Sequence, residues 1–588
     1  MTRTHALVLS AALTLSSGLT GHAQQGARPM TPVTDEMLIK PSPSDWLMWR
    51  RTLDGQGFSP LTQIDRGNVG ALRMVWTRSM GAGRGEATPL VYDGVMYLPN
   101  PNDVIQAFDA ATGELKWEYK RTHPPDLRRS NDGNRTIAIH GTTIIDTTSD
   151  NQVIALDAKT GKVVWETKVL DHTLRATTSA GPIIANGKVI AGRNCQPDAG
   201  PSSCIITAHD AATGKEVWRT GTIALPGQPG GDSWGKIPAE QRLHVGAWMV
   251  PSYDPETNLV FMGTSVTSPA PKFALDGNDR EYLYHNSTLA LDADTGRIVW
   301  HYQHVVDHWD LDHVFERLLV DTAVRPDPKE VPWINPRLKP GERRKVMTGI
   351  PGKTGIIYTL DRKTGEFLWA RPTSPQNVVS AIDGATGKVT VNPETLFTAL
   401  GQQRTVCPGM NGGKNFQAGA FNPNTNVMFY GLQNLCMVAT SVRDKPDVAN
   451  PNIYGLDTKP IIAPGTTNVG TVWAVSAETG RALWKHEQRA GVLSLVATGG
   501  GLVFGGDAAG RFAAYDDRTG KVLWETNLGA PVGGYPVAFA VNGKQYVAIS
   551  TGTSNVGTAA NRMTPELKPG SGSSLFVFAL PDTLTRGR

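Results

Sequence analysis

Ala155-Leu156-Asp157-Ala158-Lys159-Thr160-Gly161-Lys162-Val163-Val164-Trp165 reads as the end of one strand, a turn, and a second strand closed by a tryptophan. Ala155 and Leu156 finish an apolar run. Asp157 can cap the turn's backbone N–H groups, and Gly161 supplies the positive φ that side chains resist. Val163 and Val164 start the return strand, and Trp165 is large enough to wedge between neighbouring sheets. The stretch is a β-hairpin.

The same pattern, A-x-D-x-x-T-G-x-x-x-W with small variations, recurs seven times, ending at Trp117, Trp165, Trp218, Trp300, Trp369, Trp484 and Trp524. Most copies are preceded by another apolar pair, such as Pro89-Leu90-Val91-Tyr92-Asp93-Gly94-Val95-Met96-Tyr97-Leu98, which makes four strands per unit. Such a unit cannot bury both faces alone, so units must stack, and a ring of four-stranded blades closes the stack. An eighth unit can be assembled from both ends of the chain: Leu72-Arg73-Met74-Val75-Trp76 and Leu575-Phe576-Val577-Phe578-Ala579-Leu580. The reading is all-β, an eight-bladed β-propeller with tryptophan-docking repeats over 41–588. The wider gaps from Trp218 to Trp300 and from Trp369 to Trp484 mark inserted loops, where function usually sits.

Composition agrees: 63 Gly, 40 Pro and only 19% charged residues in 588 suit many short strands and tight turns. A net charge of +4 with no basic block makes nucleic acid an unsuitable partner. Residues 1–23, with Arg3, an apolar run from Ala6 to Leu19 and Gly21-His22-Ala23, read as a secretory signal cut after Ala23, followed by a flexible tail over 24–40. No later segment has the roughly eighteen apolar residues of a membrane helix, so the expectation is a soluble, periplasmic protein with no membrane partner. Four cysteines in an exported chain favour two disulfides, most simply Cys195 with Cys204 and Cys407 with Cys436. No C-x-x-C-H occurs, so no c-type haem is attached.

The richest chemistry is His301-Tyr302-Gln303-His304-Val305-Val306-Asp307-His308-Trp309-Asp310-Leu311-Asp312-His313. Asp310 and Asp312 point the same way if the backbone is extended, and together can hold a hard cation, or one can act as a general base. Equally, these groups can simply cap a loop and stack on Trp309. The histidine spacings match no common zinc signature.

The repeat, with Trp49-Arg50, Ser59-Pro60-Leu61-Thr62-Gln63-Ile64, Gly85-Glu86-Ala87-Thr88-Pro89-Leu90 and Trp309-Asp310, resembles the alcohol dehydrogenases that depend on pyrroloquinoline quinone (PQQ), over nearly all of the chain after the signal. The resemblance implies Asp310 as catalytic base, Trp248 as the ring on which the quinone stacks, and Lys353 as the cation at the reactive quinone oxygen. It implies Glu86, Arg135, Thr147, Ser179, Asn194 and Asn415 as further cofactor contacts. Asp310, Asp312 and Asp198 would be ligands of Ca2+ or a lanthanide ion, Asp312 being the extra carboxylate of the lanthanide-using members. Cys407 and Cys436 stand at a disulfide position of the family. The partners implied are a small alcohol and a cytochrome c or similar electron acceptor.

This chain departs from the family at three places. Arg129-Ser130 stand where two adjacent cysteines usually roof the quinone. Asn194-Cys195-Gln196-Pro197-Asp198 and Thr267-Ser268-Pro269-Ala270-Pro271 replace the usual metal-binding Glu and Asn segments. Val492 replaces a Trp that often walls the substrate pocket. Losing that bulk points to a large secondary alcohol, as in the branch that includes dehydrogenases of the trichothecene deoxynivalenol. The competing reading is a cofactor-free propeller scaffold resembling the outer-membrane assembly lipoprotein, which shares the tryptophan repeats.

Overall fold

A computed structural model describes residues 30–128, 132–176, 178–442 and 455–585. The expected signal peptide, the first part of the expected tail and Arg129-Ser130 lie outside the described residues. From Val33 onward the expected tail is packed: Val33 pairs with Gly141, and Leu38, in the helix Asp35–Ile39, is fully buried. Its apolar side chains find a place on the neighbouring sheets, which a free tail would leave in water.

The described residues form eight sheets of four or five strands, nearly all antiparallel meanders of consecutive segments. In the sheet Ala138–His140, Thr143–Thr147, Gln152–Asp157 and Val163–Lys168, burial falls off outward. Ile144 to Thr147 and Val153 to Leu156 are all buried, whereas Val163–Lys168 alternates exposed and half-buried residues. Inner strands covered on both faces read as apolar runs, and the outer strand shows one face to water.

The repeat works as a dock between sheets. Asp157 Oδ1 accepts from Thr160 N (2.8 Å) and Thr160 Oγ1 (2.7 Å), closing the turn. Trp117, from the preceding copy, donates its Nε1–H to Ala158 O at 3.0 Å. Its ring lies on Gly161, whose φ is +71°, so closely that an added Cβ would stand 2.6 Å from the indole. The Thr-Gly turn of each copy is thus the seat for the previous copy's tryptophan, and Trp218 repeats the contact on Ala293 and Gly296.

The chain's ends meet as expected. Arg73–Ser79 pairs with Ser574–Ala579, which continues into Lys544–Ser550 and Val537–Val541, so one sheet holds both ends of the repeat array. Trp524 then packs on Phe578 of that sheet, with centroids 5.3 Å apart. The gap after Trp218 holds a loop with short 3-10 turns and Trp248; the gap after Trp369 holds the hairpin Val379–Ile382 with Val389–Val391 and a three-stranded sheet. Both expected disulfides form, Cys195–Cys204 and Cys407–Cys436. No helix among the described residues is long and apolar enough to cross a membrane.

Candidate active site

Segments from several sheets converge on a cavity of about 350 Å3 lined by Arg84, Glu86, Arg135, Ser179, Asn194, Gln196, His244, Trp248, Asp310, Asp312, Lys353, Met410, Asn411, Asn415, Phe416 and Asn555. Nine of the sequence-predicted residues therefore meet in one place: Glu86, Arg135, Ser179, Asn194, Trp248, Asp310, Asp312, Lys353 and Asn415.

Asp310 sits in a backbone of φ +122°, which an ordinary side chain rarely adopts. A neighbour holds it there. The buried Asp307 carboxylate accepts from Trp309 N (2.7 Å), from Asp310 N (3.1 Å to each oxygen) and from Leu311 N. Lys353 Nζ lies 2.8 Å from Asp310 Oδ1 and 3.2 Å from Asp312 Oδ2, with all three side chains nearly buried. Asp312 also accepts from Val266 N at 3.0 Å.

The two acids are driven apart in affinity for protons. Burial pushes the Asp310 carboxyl well above the usual carboxylate range; Lys353 opposes this without reversing it, and Asp312 adds repulsion. Burial acts on Asp312 too, but Lys353 and the Val266 N–H outweigh it and hold Asp312 low. The paired carboxylates overcome the burial of Lys353 and hold its ammonium above the ordinary lysine value. Two carboxylates so divided give one proton acceptor and one fixed charge.

On another wall, Arg135 Nη2 pairs with Glu86 Oε2 at 2.6 Å, and Nη1 donates to Ser179 Oγ at 2.8 Å. Its guanidinium lies 4.9 Å from the Phe416 ring centroid and 5.5 Å from that of Trp248. Trp248 is itself braced edge-on by Phe315 at 5.5 Å. Glu86 Oε1 is buried with no hydrogen-bond partner, an acceptor left for something in the cavity. Asn415 Oδ1 accepts from Phe416 N, and one Nδ2–H donates to Asn411 O, which leaves its other N–H without a partner among the described residues.

Two predicted contacts fall elsewhere. Thr147 ends its strand, paired with Val153, and is outside the cavity lining, although its buried Oγ1 has no hydrogen-bond partner among the described residues. Asp198 is held by Arg128 (2.8 Å) and Arg175 (3.0 Å), so its charge is already neutralised away from Asp310 and Asp312. Among the described residues, no three acidic, imidazole or thiolate side chains gather into a ready metal centre. Asp310 and Asp312 nevertheless offer the oxygen donors that a hard cation prefers. Val492 is buried in a cluster with Phe429, Val472 and Leu495 and is outside the cavity lining.

The sequence reading missed Arg84, Gln196, His244, Met410, Asn411, Phe416 and Asn555. Gln196 was within reach, since it stands two residues after Asn194 in extended backbone. The others carry no pattern that separates them from ordinary loop residues.

The wall chemistry suits a flat polyanion with an electrophilic carbonyl: an aromatic face at Trp248, cations at Arg84, Arg135 and Lys353, and a volume within the usual range for small-molecule sites. A family model described as the PQQ glucose/ethanol/alcohol dehydrogenase β-propeller domain matches residues 46–380. A second, described as the outer membrane protein assembly factor BamB, matches 468–564. The chain is 33% identical over 554 residues to the dehydrogenase subunit of the quinone alcohol dehydrogenase of Komagataeibacter europaeus, covering 87% of this chain and 72% of that one. Among solved structures, the quinohemoprotein alcohol dehydrogenase ADHIIG from Pseudomonas putida HK5 superposes with a TM-score of 0.80 at 28% identity, over 94% of this chain and 83% of that one. A europium-containing methanol dehydrogenase superposes with a TM-score of 0.82 at 27% identity, over 93% of this chain and all of that one.

Proposed function

Because the chain belongs to the PQQ-dependent alcohol dehydrogenase family, we propose that the cavity of Trp248, Asp310 and Lys353 is where it oxidises an alcohol to a ketone or aldehyde. The observation that carries this is the buried Asp310–Lys353 contact on the wall of a cavity with an aromatic face.

PQQ, when bound, supplies an electrophilic quinone that accepts hydride from the alcohol carbon. Asp310, with its raised proton affinity, accepts the hydroxyl proton. Lys353 keeps positive charge beside it, and would hydrogen-bond an oxygen of the bound quinone. Arg135, oriented by Glu86 and Ser179, and Asn415 would hold the cofactor's carboxylates. Trp248 provides the stacking face, and burial of the wall keeps water from competing. Ca2+ or a lanthanide ion, when present, would be held by Asp310 and Asp312 and would polarise the quinone. Electrons leave to a separate acceptor, a cytochrome c or similar carrier, in the periplasm.

The substrate in this reading is a bulky secondary alcohol, with deoxynivalenol as an example. A further cavity of about 120 Å3 shares Met410 and Asn411 with the first, and its mixed lining sets Leu435, Met437 and Pro460 beside Thr458 and Arg562, which adds room for a substrate with both hydrocarbon and polar parts. The test is to load the purified protein with PQQ and either Ca2+ or La3+ and follow dye reduction with methanol and with a polycyclic secondary alcohol. A clear preference for methanol would reject the bulky-substrate reading; silence with every alcohol would favour a scaffold.

A further inference from the structure

His244 lines the cavity yet has no part in the chemistry described above. It is 6% exposed and has a φ of +66°, a conformation non-glycine residues hold only when their surroundings impose it. The surroundings are evident. Its Nδ1 lies 2.8 Å from Cys195 O, and Cys195 is tied down by its disulfide to Cys204. The His244 carbonyl accepts from Ser265 Oγ at 3.3 Å, and Ser265 Oγ accepts from Gly246 N at 2.8 Å.

A carbonyl can only accept, so the ring proton belongs to Nδ1 and Nε2 carries a lone pair. Among the described residues no donor meets Nε2. The ring is thus a fixed hydrogen-bond acceptor on the wall beside Asp312.

Besides the Glu86 carboxylate paired with Arg135, a neutral acceptor is the unexpected element here. A planar polyanionic quinone brings carboxylates, carbonyls and a ring nitrogen, nearly all of them acceptors, and the cations and N–H groups of Arg84, Arg135, Lys353 and Asn415 answer those. The reacting hydroxyl of an alcohol is taken by Asp310. We propose that His244 accepts a hydrogen bond from a second hydroxyl of the substrate, so that the enzyme is built for diols or polyols. This rests on the reading of the cavity as the oxidation site.

The test compares cyclohexanol with its vicinal and remote diols as substrates of the PQQ-loaded protein. Wild type should favour at least one diol by about tenfold or more in kcat/KM, since a site built around a hydroxyl rejects the analogue lacking it. His244→Phe keeps a ring of similar shape and should erase that ratio, whereas His244→Gln, with an acceptor oxygen, should keep part of it. Both variants should bind PQQ, followed by fluorescence quenching, within about threefold of wild type and carry the same metal content. A diol ratio unchanged in His244→Phe overturns the proposal, as does a wild type that prefers cyclohexanol. So does a loss of PQQ affinity or metal in His244→Phe, which would assign the ring to the cofactor or the ion. Asp310→Asn, run alongside, separates the two levels: if it oxidises both alcohols normally, the cavity reading fails and takes the diol proposal with it.

Discussion

Lys353 Nζ stands 2.8 Å from Asp310 Oδ1, a buried cation against a buried carboxylate, and the same ammonium reaches Asp312 at 3.2 Å. The arrangement leaves one carboxylate with a raised proton affinity and the other with a lowered one. A base that must take a proton from an alcohol gains from the first, and a site that must keep a standing negative charge gains from the second.

Replacing Asp310 by Asn removes the proton acceptor while keeping the shape. The rate with any alcohol should fall by about a hundredfold to ten-thousandfold, with PQQ binding and the circular dichroism spectrum retained. A variant turning over near the wild-type rate would show the proton goes elsewhere.

Lys353 sets the pH at which Asp310 works. The base acts when deprotonated, so activity falls as pH drops through its titration. Burial already raises that titration and Lys353 pulls it back. In Lys353→Met the restraint is gone, so the acid limb of kcat/KM should move to higher pH by about a unit or more. A limb that stays in place, or moves down, contradicts the coupling.

Arg135 and Glu86 form a buried pair at 2.6 Å. Arg135→Met strands Glu86 as an unpaired buried charge and should cost about 3–5 kcal/mol in denaturant unfolding. It should also abolish PQQ binding. Glu86→Gln should be milder on both counts.

The docking seat can be tested away from the site. Gly161→Ala must hold a φ of +71° and place a Cβ against Trp117. A loss of about 1–3 kcal/mol is expected, with the cofactor affinity of the folded protein unchanged. Equal stability would mean the Thr-Gly turn is not the seat of the preceding tryptophan.

Cys407 and Cys436 close a 29-residue separation beside Asn411 and Asn415. Changing both to Ser should destabilise by about 3–4 kcal/mol, read as a lower Tm. The looser wall should also raise KM for the alcohol. An unaltered Tm would show that neighbouring strands alone hold this loop.

The docking repeat was legible because each copy repeats local physics: an Asp-capped turn, a glycine with positive φ and a tryptophan at fixed spacing. Closure was legible too, because Trp76 and Leu575–Leu580 are orphan pieces of the same unit. Trp248, Asp310, Asp312 and Lys353 could be placed in one cavity because their motifs kept their order along the chain. Thr147 and Asp198 stand outside the cavity lining, which motif order does not reveal, because it does not tell which way a sheet turns a side chain or that Arg128 and Arg175 pair with a carboxylate. Val492 lies in a buried cluster outside that lining.

The sequence by itself determined the repeating hairpin, its all-β stacking and the types of group gathered for the chemistry, since turn propensity and strand periodicity are properties of neighbours along the chain. Only the tertiary structure decided that Lys353 lies between two acids, that Asp307 holds the Asp310 backbone, and that His244, tied to Cys195 O, lines the cavity. Those contacts join residues from separate segments of the closed ring, where burial and distance, which no local pattern encodes, fix charge and proton affinity.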